Sequence, residues 1–467
     1  MVCPQDNKST VEFSPDGFAF NTCARAPLVS PPFNGVGVAD DDDDDDDDAD
    51  ADDEGYDMSW PKSSTSDRES DADTAVPADP DPEVIIQEAL KCIPVEHHPA
   101  FRAALLWQLS QPAFRLRRLK DAYKVWLSIG ASLFSLAIVD RGFSLPFKAS
   151  PPSHLQTNHE SVDEHADFVQ EAIDKFISFG AVEECPSGHI PWVVSRMRVV
   201  PKKGGKLRLV INLRWLNKFL RDPPRFKLES LAREGRSTFQ PGDYVFTIDL
   251  DNAFYSVPID PDHVDFLGFC FRGKYYRWLA LPQGLSWSPF VFDRMVAPVV
   301  THWRREGYRV LPYIDDLTGG DQTLSGSLSF SLRALKDLHS LGWLVSTSKC
   351  VFAGAQTGTE SLGFVIDTVY QRPGARVPSG RYTLTDEKWA KITDLAGRLS
   401  TCRRARVRLI SRLTGLIVSG SPAIGSLARL RTRRLYRLIE TRDSWNGWVS
   451  LVQGSPAMRE VLFWHRP

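Results

Sequence analysis

Nine consecutive aspartates, Asp40 to Asp48, constrain this chain more than any other feature, because no compact core absorbs such a run of like charge. Residues 1–83 hold 24 acids and only four bases (Lys8, Arg25, Lys62 and Arg68), a net of −20. The whole chain has 56 Lys+Arg and 59 Asp+Glu, so residues 84–467 keep 52 bases and 35 acids, a net of +17. Self-repulsion and sparse apolar content predict a disordered acidic tail over 1–83. The run reads first as a solvating linker and second as a competitor for nucleic acid. The remaining body is basic, which favours a polyanionic partner through phosphate neutralisation and counterion release.

Seven cysteines without a CxxC pair argue against a disulfide framework and a zinc ribbon. The first residues, MVCPQDNKST, lack the basic and apolar regions of a signal peptide. The most apolar stretch, Val125 to Val139, is short for a membrane span and reads as a buried helix. The expectation is an intracellular chain, in cytoplasm or nucleus, with no membrane partner.

Patterned apolar residues begin at Val84-Ile85-Ile86. The periodicity predicts helices over roughly 84–94 and 98–140, then an amphipathic helix in HESVDEHADFVQEAIDKFISFG ending at Gly180. Beyond it the period shortens. WVVSRMRVVPKKGGKLRLVINL reads as two strands around Lys203-Gly204-Gly205-Lys206, YVFTIDL as a strand, and FLGFCFRGKYYRWLAL as a hairpin turning at Arg272-Gly273-Lys274. SPFVFDRMVAPVVTHWRREG returns to helix, YRVLPYIDDLTGGD is strand, acidic turn and strand, and the chain beyond about 386 is helical and arginine-rich. The fold class is α+β with an all-helical end.

Asp249 ends an apolar strand, and Asp315-Asp316 follow the apolar run VLPYI. An ionised carboxylate at the end of a buried strand needs a partner, and two such sites brought together need a cation. Mg²⁺ suits them, because it takes hard oxygen ligands and keeps positions for substrate phosphates. Two such ions can stabilise both oxygens of an in-line phosphoryl displacement. Taken alone, an adjacent Asp pair is more often a plain turn.

The pair does not stand alone. LVINLRWLNKFL, FTIDLDNAFYSVPI, LALPQGLSWSPFVF, LPYIDDL and SLGFVID occur in this order with short spacers. The series resembles the fingers and palm of reverse transcriptases, with Tyr313-Ile314-Asp315-Asp316 in the place of the tyrosine–x–Asp–Asp box. HADFVQEAIDKFISFGAVEE, DFLGFCFRGKYYRWLALPQGLSWSPFVF, HWRREGYRVLPYIDD and the final VLFWHRP are similar to the DIRS-like, tyrosine-recombinase retrotransposons. The resemblance covers roughly residues 120–467.

The resemblance implies a right-hand polymerase fold: a helical extension over 84–150, fingers and palm over 151–370, and a basic helical thumb or connection over 371–467. It implies that Asp249, Asp315 and Asp316 are the catalytic carboxylates holding Mg²⁺, or Mn²⁺ in its place. Asp251 is not required to be acidic in the family and is expected to face solvent or cap. Phe254 takes the place of the bulky side chain that excludes a ribose 2′-hydroxyl. Lys203 (or its neighbour Lys202) and Arg208 would grip the dNTP triphosphate, a point charge and a fork onto phosphate oxygens. Gln283 and Gly284 would contact the incoming nucleotide, and Lys349 would stand near the pyrophosphate. Leu362, Gly363 and Phe364 would form the primer grip. Arg404 and Arg408 belong to two arginine-rich helical stretches, 403–412 and 429–437, that would lie along a template–primer duplex as sequence-blind phosphate contacts.

The implied activity is RNA-directed DNA polymerisation on an RNA or DNA template, using a primer and dNTPs. An RNA-dependent RNA polymerase is disfavoured by Phe254, and the other alternative is an inactive or domesticated nucleic-acid-binding copy. RNase H and recombinase domains are expected as further parts of a retroelement polyprotein, outside this chain.

Overall fold

The computed structural model describes residues 11–12, 81–201 and 207–465. The expected acidic tail lies outside the described residues except at Val11–Glu12 and at its C-terminal edge. There Asp81 accepts a hydrogen bond from the Glu83 amide and caps the helix Pro82–Leu90.

The central sheet is antiparallel, in the order Arg309–Tyr313, Asp316–Asp321, Tyr244–Asp249, Val351–Ala355. Its alternation assigns each residue to a face. Phe246, Ile248 and Leu317 point into the main core with Phe292, Trp303 and Phe330, which come from the helices Ser288–Arg305 and Leu324–Ser340. Val245 and Leu311 belong instead to the second core, with Phe364 and Tyr382. Both faces of this sheet are therefore covered, which is why its strands read as nearly continuous apolar runs.

The hairpin Met197–Pro201/Leu207–Ile211 forms a two-stranded sheet apart from a five-stranded sheet. That sheet contains the hairpin Gly268–Phe271/Lys274–Trp278. Its two turn residues, Arg272 and Gly273, have φ of 49° and 75°, as a two-residue hairpin turn needs. At the C-terminal end, Asp386–Ser400, Val407–Ser419, Arg433–Glu440 and Pro456–His465 close around Leu395, Ile410, Leu435, Met458 and Trp464.

Three expectations are corrected. The helix expected over 98–140 is four helices, His98–Leu109, Arg118–Asp121, Tyr123–Ser128 and Leu133–Arg141. Pro112 lies in the first break, and Gly130, at φ 76°, in the last. The apolar stretch Val125 to Val139 is not uniformly buried: Trp126 is fully buried while Leu133 is 86% exposed. Among the described residues, no helix is long and apolar enough to cross a membrane. In the first arginine-rich stretch, Arg404–Arg406 is a strand paired with Trp448–Ser450, and helix begins only at Val407.

Candidate active site and nucleic-acid interface

The three aspartates meet because of strand register. Asp249 and Asp316 are direct antiparallel partners, so they share the sheet face opposite the helix-packed Ile248 and Leu317. Asp315 occupies the two-residue turn before Asp316, and its carbonyl accepts from the Leu250 amide at 2.9 Å. Ile314, the other turn residue, has φ of 53°. A β-branched side chain in that region is strained, and such strain collects at functional sites.

Asp249 is only 6% exposed. Burial, with Asp315 close by, pushes its carboxyl up to about 6 against the pull of Lys349. Lys349 Nζ stands 3.5 Å from Asp249 Oδ1. Asp316 is pushed up to about 8 by burial and by the negative charges of Asp315 and Asp249. Asp315 is raised as well, by burial first. Three converging carboxylates with one lysine among them are under-neutralised, which is the state a divalent cation relieves. Among the described residues, no three His, Cys, Asp or Glu side chains close into a ready metal cage. Mg²⁺ takes hard oxygen ligands and completes its shell with water and substrate phosphates. The donor set is all oxygen, as that ion requires.

The remaining candidates fall into smaller groups, each held by its own contacts. Asn252, at φ 46°, opens the short helix Ala253–Ser256, whose half-buried Phe254 stacks on Phe292 with centroids 4.6 Å apart. Arg208, from the hairpin Met197–Pro201/Leu207–Ile211, donates a hydrogen bond to Gln283 Oε1, so two candidate nucleotide contacts touch each other. Gly284 has φ of +96°, and a Cβ there would stand 3.2 Å from the Ile211 carbonyl oxygen, so the loop needs glycine. Asn217 pins the same loop: its Nδ2 donates to the Gly284 carbonyl at 2.9 Å, and its Oδ1 accepts from the Ser286 amide at 3.0 Å. Lys203 lies outside the described residues.

Leu362 and Gly363, at φ 54° and 75°, form the tight turn between Thr359–Ser361 and Phe364–Asp367. This hairpin is tied to the central sheet by a hydrogen bond of 2.7 Å between the Thr318 and Ser361 hydroxyls. Thr318 shares its sheet face with Asp316, two residues away. Sequence reasoning missed Lys388, whose Nζ donates to the Leu362 carbonyl at 3.4 Å and lies 4.0 Å above the Phe364 ring. Burial pulls its ammonium down to about 8. No local signal marks it, since a lysine in the first turn of a helix ordinarily faces water. Arg404 and Arg408 are exposed, and among the described residues neither makes an ion pair. Asp251 corrects an expectation: it does not simply face solvent or cap, but pairs with the buried guanidinium of Arg115.

With this geometry in place, similarity to known proteins becomes informative. Residues 200–366, which include all three aspartates and the Leu362 turn, match the family described as Reverse transcriptase (RNA-dependent DNA polymerase). Over that stretch the chain is similar to reverse transcriptases. It is 32% identical over 168 residues to the Pro-Pol polyprotein of Simian foamy virus type 1, covering 36% of this chain and 14% of that protein. It is 27% identical over 250 residues to the Pol polyprotein of Feline endogenous virus ECE1, covering 50% of this chain and 23% of the other. The chain spans under a quarter of the length of these polyproteins. A solved foamy viral protease-reverse transcriptase in complex with dsDNA superposes with a TM-score of 0.57 at 22% identity, covering 82% of this chain and 70% of that one. The same enzyme with an RNA/DNA hybrid gives 0.54 at 20% identity, covering 82% and 45%. These likenesses establish the right-hand polymerase fold.

Proposed function

We propose that this chain is the polymerase part of a retroelement reverse transcriptase, adding dNTPs to a primer 3′-hydroxyl on an RNA or DNA template. The observation that carries the reading is the register match of Asp249 with Asp316, with Asp315 in the strained turn between strands. Asp249, Asp315 and Asp316 would hold two Mg²⁺ ions, or Mn²⁺ in their place. When bound, the ions supply neutralisation of the charge that develops on the transferring phosphate. The chain's own residues do the rest. Arg208, with Lys203, receives the triphosphate, and Gln283 and Gly284 shape the floor beneath the incoming nucleotide. Phe254, held by Phe292, occupies the space a 2′-hydroxyl would need. The Leu362-Gly363-Phe364 turn supports the primer end. Arg404 and Arg408 give sequence-blind contacts to the duplex.

The finer placement, in the DIRS-like group, rests on the wording of HADFVQEAIDKFISFGAVEE, HWRREGYRVLPYIDD and VLFWHRP. The proposed boundaries are an acidic tail over 1–83, an extension over 84–150, fingers and palm over 151–370, and a thumb or connection over 371–467. RNase H and recombinase domains would be polyprotein partners, and the site of action would be cytoplasm or nucleus. Primer extension on an RNA template, with dTTP and UTP offered separately, tests the reading. Incorporation of dTTP alone is expected. Efficient UTP incorporation would point to an RNA polymerase, and salt-sensitive duplex binding without extension would point to an inactive copy.

A further inference from the structure

The helical extension lies outside the matched residues 200–366, yet it grips the end of the catalytic strand from two sides. Arg115 is the first grip. Its guanidinium is 6% exposed, packs 4.2 Å from the centroid of the Phe179 ring, donates to the Ala113 carbonyl at 3.0 Å and pairs with Asp251. Its backbone amide donates to the Phe179 carbonyl at 2.8 Å. Nearby, Gly180 at φ +71° makes room for the Phe114 ring, which would stand 2.3 Å from any Cβ placed there. Asp251 passes the constraint along the chain. Its Oδ1 accepts from Asn252 Nδ2 at 2.7 Å, and Asn252 is the left-handed residue from which the Phe254 helix starts.

Gln108 is the second grip. Its side-chain amide closes on both backbone groups of Val345, accepting from the Val345 amide at 3.1 Å and donating to the Val345 carbonyl. Val345 bridges Leu250, while the Ser346 amide donates to the Asp249 carbonyl at 2.8 Å and the Asp251 amide to the Leu344 carbonyl at 2.9 Å. Leu344–Ser346 is therefore the backbone rail beside Asp249–Asp251, and Gln108 holds the rail. Trp126 adds a third tie to the same stretch, donating from Nε1 to the Leu341 carbonyl at 2.9 Å.

We propose that Arg115 is a positioning residue for nucleotide selection: acting through Asp251, it holds the Asn252–Phe254 turn against the incoming sugar. The extension is then a working part of the active site. The pair is informative here, because the Arg115 side chain is buried while Asp251 is 31% exposed: removing Asp251 leaves an uncompensated buried charge, and removing Arg115 frees the turn that Asp251 anchors. The proposal rests on the polymerase reading for its catalytic consequence, but not for its structural one.

The test uses the full chain with Arg115→Met, Arg115→Lys, Asp251→Asn and the Arg115→Met/Asp251→Asn double variant. Two readouts are taken: steady-state dTTP and UTP incorporation, and amide hydrogen exchange across residues 248–256. The expected result is a fall of about tenfold in kcat/KM for dTTP in Arg115→Met, of the size a small misplacement of reacting groups produces. The UTP-to-dTTP ratio should rise, Arg115→Lys should recover part of the loss, and the double variant should be no worse than the worse single one. Exchange should quicken across 248–256 in Arg115→Met. A lowered Tm with unchanged dTTP parameters, unchanged discrimination and unchanged exchange over 248–256 would overturn the proposal, leaving Arg115 a merely structural residue. If Arg115→Met does not fold, Asp251→Asn, which keeps the shape of the side chain, decides by the same two readouts. A wild type inactive on every template would sink the polymerase reading, and the exchange comparison would still decide whether Arg115 holds the turn.

Discussion

His339 offers a prediction whose size can be worked from its surroundings. Its ring is 8% exposed, lies 4.5 Å from Trp107 centroid to centroid, and meets Gln108 Oε1 through Nε2 at 2.8 Å. Val345 fixes which end of the Gln108 amide is oxygen, since its own amide donates to that atom, so His339 Nε2 must carry a proton and donate. Burial, with the positive charge of Arg118 nearby, pulls the ring down to about 4. The unfolded chain takes up its proton as pH falls through the ordinary value of about 6.5, whereas the folded chain resists until about 4. Stability from this site is therefore complete above pH 6.5 and is lost as pH falls toward 4. At about 1.4 kcal/mol per pH unit, that gap is worth at most about 3.5 kcal/mol.

Asp249 and Asp316 run the other way, since their raised folded values favour the fold as pH falls, so the wild-type curve alone is not diagnostic. The measurement is urea unfolding of wild type and His339→Leu at steps between about pH 7.5 and about pH 4.5. The stability difference between the two should shift by about 2.5 kcal/mol in favour of His339→Leu on going from high to low pH. Parallel curves would refute the reasoning, because they would mean the folded ring titrates as freely as the unfolded one.

Three further outcomes are expected. Phe254→Val should raise UTP incorporation relative to dTTP and, through the lost stacking on Phe292, destabilise the chain by about 1–3 kcal/mol, read by primer extension and by unfolding. Replacing exposed Arg404 and Arg408 with Gln should weaken duplex binding on all sequences and reduce the slope of log affinity against log salt by about 2, with little change in kcat. Mg²⁺ at about 100 times its Kd should stabilise the wild type by about 2.7 kcal/mol, seen as a raised Tm, and Asp315→Asn should lose most of that gain.

What could be read from the sequence was local. An apolar run closing on an acid places Asp249 and Asp316 at strand ends, and Arg272-Gly273 announces its hairpin by residue type. The glycine of the Gln283-Gly284 loop is explained by its positive φ. What could not be read depends on partners far along the chain. Arg115 and Asp251 are 136 residues apart, and Gln108 and Val345 are 237 apart, so neither pairing leaves a periodic trace. Lys388 looks like any lysine in a first helical turn until the Leu362 turn folds over it. The arginine-rich stretch misled because charge density says nothing of period: Arg404–Arg406 pairs with Trp448–Ser450, and Arg406 lies 5.5 Å from the Trp448 ring centroid. In the extension, Pro112 and Gly130 were visible interruptions within a pattern otherwise apolar enough to read as one helix.

The measurement that bears most directly on the polymerase assignment compares wild type with Asp315→Asn on a poly-rA/oligo-dT duplex, with Mg²⁺ and dTTP. The account predicts primer extension by the wild type and its loss, by a factor of about 10³ or more, when one carboxylate of the site is replaced by an amide. Extension by Asp315→Asn at the wild-type rate would contradict it, because the carboxylates gathered by the Asp249–Asp316 register would then not be the reaction centre.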